Sequence, residues 1–415
     1  MNDVAARVEP RQPAWKTAVR IVLVLLFLWL FLGGITMMGA GLKELGKNPA
    51  YDKHQPQGPG NMAYRDVVYS VFSYADNPLV GLFVGILATS IFQSSSFTTS
   101  FTVSLVVTTP LTLHQAIFII MGANIGTSVT NTGVSFTHVR RREEFGRAYS
   151  AAIVHDFFNM LSVCLLFPVE YGVWLLTGRR TGLLEFLASR LAALFYRGQP
   201  TGVEPTNILK EAAKPLVQGA EWVLEKGLGL GHVPANLVLT VLGVVLLFVA
   251  LIFLTQTLRS LIMKRVERFF DRVLFRNDLT AFAVGLMLTS VVQSSSVTTS
   301  LIVPLAAAGL LTMRQIFPYT LGANIGTTLT AMIASFATSA DTADLARVGV
   351  ALAFSHMLFN CAGTAVWYPL RRVPIGLATW WGGVCARQRK YAVLHVSFFF
   401  FVLPAVVILV EWLRR

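Results

Sequence analysis

Apolar residues run along this chain in long blocks separated by short polar stretches. Blocks at 18–40, 113–137, 145–169, 237–259, 314–337, 346–370 and 391–412 each reach the length of about 20 residues that spans a bilayer. They predict seven transmembrane helices. Two further stretches, 79–109 and 281–309, are apolar, then broken by Gln93-Ser94-Ser95-Ser96 and by Gln293-Ser294-Ser295-Ser296, then apolar again. Two half-length helices meeting at such a run would make a re-entrant hairpin, because backbone that leaves helical geometry at membrane depth survives only inside protein or around a wet cavity. Residues 170–236 are polar enough to leave the membrane and hold two amphipathic stretches, 181–196 and 205–227, so they predict a linker on the outer face.

The two serine runs belong to a longer internal repeat. Thr98-Thr99-Ser100, Gln115 and Gly122-Ala123-Asn124-Ile125-Gly126-Thr127 recur 200 positions later as Thr298-Thr299-Ser300, Gln315 and Gly322-Ala323-Asn324-Ile325-Gly326-Thr327, and the match runs without a gap from residue 81 to residue 130. The expected architecture is therefore an all-α polytopic membrane protein with two inverted-topology repeats. Each repeat carries a re-entrant helical hairpin and a broken transmembrane helix, the break falling at 122–126 and 322–326. Glycine there frees the backbone for close approach or nonhelical torsions; tight packing through small residues is the competing reading. The division along the chain is a cytoplasmic arm and first span at 1–40, repeat 1 at 63–170, the outer linker at 171–236, repeat 2 at 237–390 and a final span at 391–415.

Composition agrees with a membrane protein. The chain has 415 residues, 54% hydrophobic and 13% charged, with mean hydropathy +0.61, whereas a soluble domain carries about 25% charged residues. The net charge of +13 comes largely from short loops, not from a nucleic-acid-binding surface. Clusters around Arg140–Arg147, Arg259–Arg276 and Arg371–Lys390, with the N-terminal arm, fall on one side and mark it as cytoplasmic. Seven crossings would leave Arg414 and Arg415 outside, against that rule. On this topology hairpin 81–109 enters from outside and hairpin 281–309 from inside. The first apolar block is too long for a signal-peptide core and reads as a retained anchor. Cys164, Cys361 and Cys385 lie far apart, without the spacing of a disulfide framework or a transition-metal site.

Gln, Ser, Thr and Asn supply neutral oxygens suited to Na+ and donors suited to an anion, and helix N-termini at the hairpin tips favour an anion further. The candidate phosphate ligands are Gln93, Ser94, Ser95, Ser96, Gln293, Ser294, Ser295 and Ser296. The candidate sodium ligands are Gln93, Ser94, Ser95, Asn124, Thr127, Asp156, Gln293, Ser294, Ser295, Asn324, Thr327 and Thr328. His155 and Asn159 share one helix face, and His356 and Asn360 repeat the pair; a helix–helix hydrogen bond is one reading and a ligand role the other. Asp156 has Met357 as its counterpart, so one repeat alone carries an acid inside a span, a functional candidate by position.

Both Gln-Ser-Ser-Ser runs, both Gly-Ala-Asn-Ile-Gly-Thr runs, the stretch Arg147-Ala148-Tyr149-Ser150-Ala151-Ala152-Ile153-Val154-His155-Asp156 with Phe158-Asn159, and His356 with Phe359-Asn360 and Trp367-Tyr368-Pro369 together resemble the type II sodium-phosphate cotransporter family. The resemblance covers roughly 75–170 and 237–400. It implies Na+-driven import of inorganic phosphate by alternating access, with both repeat motifs forming the site, Na+ as coupling ion, no cofactor and no enzymatic activity. It also implies electrogenic transport, because an acid at the position of Asp156 accompanies that property in the family. Animal members carry a disulfide in the outer linker and continue past the position of Arg415; these departures imply a bacterial, multi-pass inner-membrane member. The partners implied are phosphate, Na+ and the bilayer, with no nucleic acid; oligomeric state stays open. The alternatives are a sodium-coupled carrier of a dicarboxylate or sulfate, an intramembrane hydrolase using Ser95, His155 and Asp156, and a channel. Against the hydrolase stand the missing Gly-x-Ser-x-Gly elbow and the second serine run, which a hydrolase does not explain.

Overall fold

The computed structural model describes residues 14–46, 74–178, 180–196, 208–270, 277–338 and 342–414, and among them all regular structure is helical. Residues 1–13 of the N-terminal arm, residues 63–73 of repeat 1, Asp341 and the basic side chains from Lys264 to Arg276 lie outside the described residues.

Repeat 1 holds α2 (Pro78–Phe92), α3 (Ser95–Thr108), α4 (Leu113–Gly126), α5 (Val129–Ser135) and α6 (Arg142–Leu176), preceded by α1 (Ala14–Gly46). The linker forms α7 (Leu183–Phe195) and α8 (Ile208–Trp222). Repeat 2 follows α9 (His232–Phe270) with α10 (Asp278–Val292), α11 (Ser295–Ser300), α12 (Ile302–Ala307), α13 (Met313–Ala337) and α14 (Ala343–Trp367). The chain ends in α15 (Arg372–Arg387), α16 (Lys390–Ser397) and α17 (Leu403–Arg414).

The same punctuation opens equivalent helices in both repeats. Asn77 caps α2 by accepting from the Leu79 amide, with Pro78 preset at the first helical position, and Asn277 caps α10 by accepting from the Thr280 amide. Thr112 with Gln115 and Thr312 with Gln315 form capping boxes at the start of α4 and α13. α2 and α10 are 15 residues each, about 22 Å long, so neither alone crosses a hydrocarbon layer of about 30 Å. Each ends on a glutamine in the left-handed region, Gln93 at φ 52° and Gln293 at φ 58°, the only non-glycine residues with positive φ among those described. That torsion costs an L-residue about 1–2 kcal/mol and turns the chain sharply back. The Thr89 and Thr98 hydroxyls are then 2.9 Å apart, and Thr289 and Thr298 2.7 Å apart, across the two tips.

α2 lies along α4, and α10 along α13. The glycines of the repeated run are what allow this. A Cβ on Gly122 would sit 1.9 Å from the Leu82 carbonyl oxygen and one on Gly322 2.0 Å from that of Phe282; Gly85 and Gly285 stand equally close to the Ile119 and Tyr319 carbonyls, at 2.0 and 2.1 Å. The expected break at 322–326 is therefore corrected: α13 runs unbroken, and its glycines admit a neighbouring backbone instead. At 122–126 α4 ends at Gly126, but Thr127 (φ −59°, ψ −29°) and Ser128 (φ −79°, ψ −12°) stay right-handed. The chain runs on into α5 with little deviation.

Among the described residues six helical stretches are long and apolar enough to cross a membrane: Trp15–Leu45, Leu113–His138, Arg142–Leu176, His232–Leu261, Ala343–Trp367 and Lys390–Arg414. They answer six of the seven expected spans. The seventh, 314–337, is a continuous 25-residue helix that falls outside this set because its interior carries Thr320, Asn324, Thr327, Thr328 and Thr330. The expected linker limits at 170 and 237 cut through α6 and α9, which extend further than the apolar blocks did. The linker helices are also packed rather than loose. Ala188 and Ala192 of α7 and Tyr196 just after it bury against Val350 and Ala351 of α14, and Val217 of α8 against Met37 and Leu239 of α1 and α9. Two arginine clusters share one end of the molecule, where Arg389 Nη2 donates to the Arg140 carbonyl at 3.3 Å.

Candidate functional site

The two tips meet. Ser96 Oγ donates to the Gln293 carbonyl at 2.7 Å, although the residues are 197 positions apart. Ser296 Oγ reaches the Thr127 carbonyl and Thr130 Oγ1 the Gln93 carbonyl, each at 3.5 Å. Ser94 and Ser294 cap the helices beyond the tips by accepting from the Phe97 and Val297 amides. Ser95, Ser96, Ser295 and Ser296 are all buried. The glutamines differ: Gln93 is exposed, while Gln293 is 8% exposed and its Oε1 has no hydrogen-bond donor.

Beside the tips lies a buried network that crosses between the repeats. His155 Nε2 pairs with Asn324 Oδ1 at 2.7 Å, and His356 Nε2 with Asn124 Oδ1 at 3.1 Å. Each histidine thus takes the asparagine of the other repeat. Asn324 Nδ2 donates to Asn159 Oδ1 and Asn360 Oδ1, both at 2.9 Å, and Asn159 Nδ2 donates to the Asn124 carbonyl at 2.9 Å. Ser128 Oγ contacts His155 Nδ1 at 3.2 Å. In a low-dielectric interior every such group left unpaired would be costly, so the network fixes the relative placement of α4, α6, α13 and α14. The helix–helix hydrogen-bond reading of the histidines is the one the geometry supports.

Asp156 behaves differently. It is fully buried, and neither carboxylate oxygen has a hydrogen-bond partner. Ala148 and Ala152 of the same α6 face pack against Val303 and Ala307 of α12, and Arg147 reaches the Ala307 carbonyl. Thr299 Oγ1 accepts from Asn131 Nδ2 at 2.8 Å, and Asn131 Oδ1 is itself buried without a donor. The Asp156 carboxylate and Asn131 Oδ1 are thus both buried oxygens without a donor. Oxygen acceptors lacking donors suit a hard cation.

The remaining predicted ligands are placed as follows. Thr127 and Thr327 donate to the Ala123 and Ala323 carbonyls at 3.1 Å, and Thr328 to the Ile325 carbonyl at 2.7 Å, leaving their hydroxyl oxygens free to accept. Asn124 and Asn324 are engaged in the crossed network. The hydrolase arrangement is not assembled, since the two ring nitrogens of His155 engage Ser128 and Asn324 and neither makes a hydrogen bond to Ser95. Ser128, Thr130, Asn131 and Thr299 were missed. Asn131 carried a readable signal, an amide opposite Ala331 in the other repeat, parallel to Asp156 opposite Met357.

A model of the Na+/Pi-cotransporter family matches residues 58–156 and 246–379. Sodium-dependent phosphate transport protein 2A of Ovis aries is 32% identical over 96% of this chain and 69% of its own length. Sodium-dependent phosphate transport protein 2B of Homo sapiens is 29% identical over 94% of this chain and 64% of its own length, and the protein of the same name from Pongo abelii is 29% identical over 94% and 65%. The chain thus spans about two thirds of the length of the curated relatives it matches. No solved structure matches it. The spans and these relatives together make the chain a multi-pass membrane protein.

Proposed function

The chain belongs to the Na+/Pi-cotransporter family, and from that premise we propose that it is a sodium-coupled carrier importing inorganic phosphate across a bacterial inner membrane. The observation that carries the reading is the Ser96–Gln293 hydrogen bond, which joins two left-handed glutamine tips from different repeats at one point. Each tip is the apex of a re-entrant hairpin, and the two repeats are inverted, so one hairpin opens to each side of the membrane. Alternating access then consists of each side opening in turn around the shared tips.

Sodium is taken by oxygens that lack donors in the fold: Gln293 Oε1, Asn131 Oδ1 and the Asp156 carboxylate, with Gln93, Ser94, Ser95, Ser294, Ser295, Thr127, Thr327 and Thr328 completing the ligand set. The bound cations offset the Asp156 charge and attract phosphate. Phosphate docks on the serine hydroxyls and on the first amides of α3, which a helix start leaves without intrahelical partners. Asp156 sets the charge moved per cycle. One net charge carried inward gains about 2.3 kcal/mol per 100 mV, a bias of about fifty-fold.

Radiolabelled phosphate uptake into proteoliposomes tests this. Uptake that needs external Na+, fails with choline and resists excess sulfate or dicarboxylate is expected. Uptake equal in choline, or abolished by sulfate, would overturn the reading.

A further inference from the structure

Away from the tips, at the end of the molecule where the arginine clusters meet, α6, α15 and the turn from α12 to α13 enclose a cavity of about 600 Å³. Its walls are mostly apolar or bare backbone, including Gly146, Ala306, Leu311 and Ala386, and its rim carries Arg142, Arg147 and Arg387 against a single acid, Glu143. Arg147 is held in place, with Nε and Nη2 both donating to the Ala307 carbonyl at 3.0 and 2.8 Å. Arg142 and Arg387 are exposed and enter no ion pair among the described residues. Next in sequence to the lining residues Gly309 and Thr379 stand Leu310, 70% exposed, and Trp380, 62% exposed. Exposed leucine and tryptophan beside arginine mark the level where acyl chains meet headgroups.

We propose that this cavity holds the headgroup of an anionic phospholipid. Guanidinium groups match phosphate oxygens in geometry as well as charge, and basic pockets between transmembrane helices on the positive side recognise such headgroups. The walls favour lipid over free phosphate. A phosphate ion needs donors all round, but the hydroxyls lining the cavity are already used: Ser150 Oγ donates to the Gly146 carbonyl at 2.7 Å, Thr379 Oγ1 to the Ile375 carbonyl at 2.8 Å and Thr312 Oγ1 to Gln315 Oε1 at 2.7 Å. An acyl chain needs only the apolar wall. The bound lipid braces α6, which carries Asp156, against the helices that carry the second tip.

The test is thermal melting of the purified full chain in detergent, titrated separately with phosphatidylglycerol, phosphatidylcholine and inorganic phosphate. Phosphatidylglycerol is expected to raise the midpoint saturably, and the other two are not. Arg142→Gln with Arg387→Gln should melt normally without lipid and bind phosphatidylglycerol about thirtyfold more weakly, at about fivefold per arginine near an anionic headgroup. Gly383→Phe is the second variant. A Cβ there meets nothing within 4 Å, so the ring enters the cavity and blocks the lipid with all arginines retained. Equal stabilisation by phosphatidylcholine, the same stabilisation by inorganic phosphate alone, or undiminished binding in both variants would overturn the proposal.

Discussion

Replacing Gln293 by glycine should leave the protein about as stable as the parent, or more so, while abolishing transport. Deleting two buried methylenes costs about 0.8 kcal/mol each, which alone would predict a weaker fold. Two other effects oppose this. Gln293 holds φ 58°, and release from the left-handed penalty returns about 1–2 kcal/mol, less about 0.5–1 for the greater entropy glycine loses on folding. Its buried Oε1 has no donor, and removing such an acceptor relieves about 1–3 kcal/mol of desolvation. The sum runs from about 0.6 kcal/mol against the variant to about 3 kcal/mol in its favour. Gln293→Ala keeps the strained torsion, so it should be less stable than the glycine variant by about 1 kcal/mol. Melting in detergent measures the first quantity and Na+-dependent phosphate uptake the second. A glycine variant that transports normally would show that the side chain is no ligand. One that melts far below the parent would show that strain and the unmatched oxygen were misjudged.

Further expectations follow from the same geometry. Asp156→Asn should melt higher than the parent, because a buried carboxylate without partners is removed, and should lose the phosphate-induced current; an unchanged current would exclude Asp156 from the cation site. Gly322→Ala puts a methyl 2.0 Å from the Phe282 carbonyl and should cost about 1–3 kcal/mol, while Gly133→Ala, with nothing within 4 Å, should stay within about 0.5 kcal/mol; equal melting of the two would contradict the packing role. A double-mutant cycle between His155→Phe and Asn324→Leu should give a coupling of about 0.6–1.7 kcal/mol for their 2.7 Å bond, and strict additivity would show that the crossed network does not bind the repeats together.

Much of this arrangement was readable from the chain. Alternation of apolar blocks with serine runs located both tips, because a polar run inside an apolar block has few ways to be satisfied. The 200-residue repeat predicted that the tips would be equivalent. It could not predict that His155 would take Asn324 and His356 would take Asn124. Equivalence says which residues share a role, not whether partners sit in the same copy or the opposite one. The glycine runs misled for a related reason. A missing Cβ permits both a broken helix and a close neighbour, and only the Leu82 and Phe282 carbonyls packed against Gly122 and Gly322 decide between them. The span at 314–337 was found by its length, though its polar face looks inward and lowers its overall apolarity. Asn131 stands opposite Ala331 in the repeat, which marks an asymmetry between the copies but not that its amide oxygen lacks a donor.

The most direct measurement is the number of phosphate ions bound per chain, by equilibrium dialysis of radiolabelled phosphate against purified protein with and without Na+. The account predicts one Na+-dependent site per chain, lost on substituting either Gln93 or Gln293 alone by alanine. Two sites per chain, or one site that survives either substitution, would mean that the two tips do not form a single shared site.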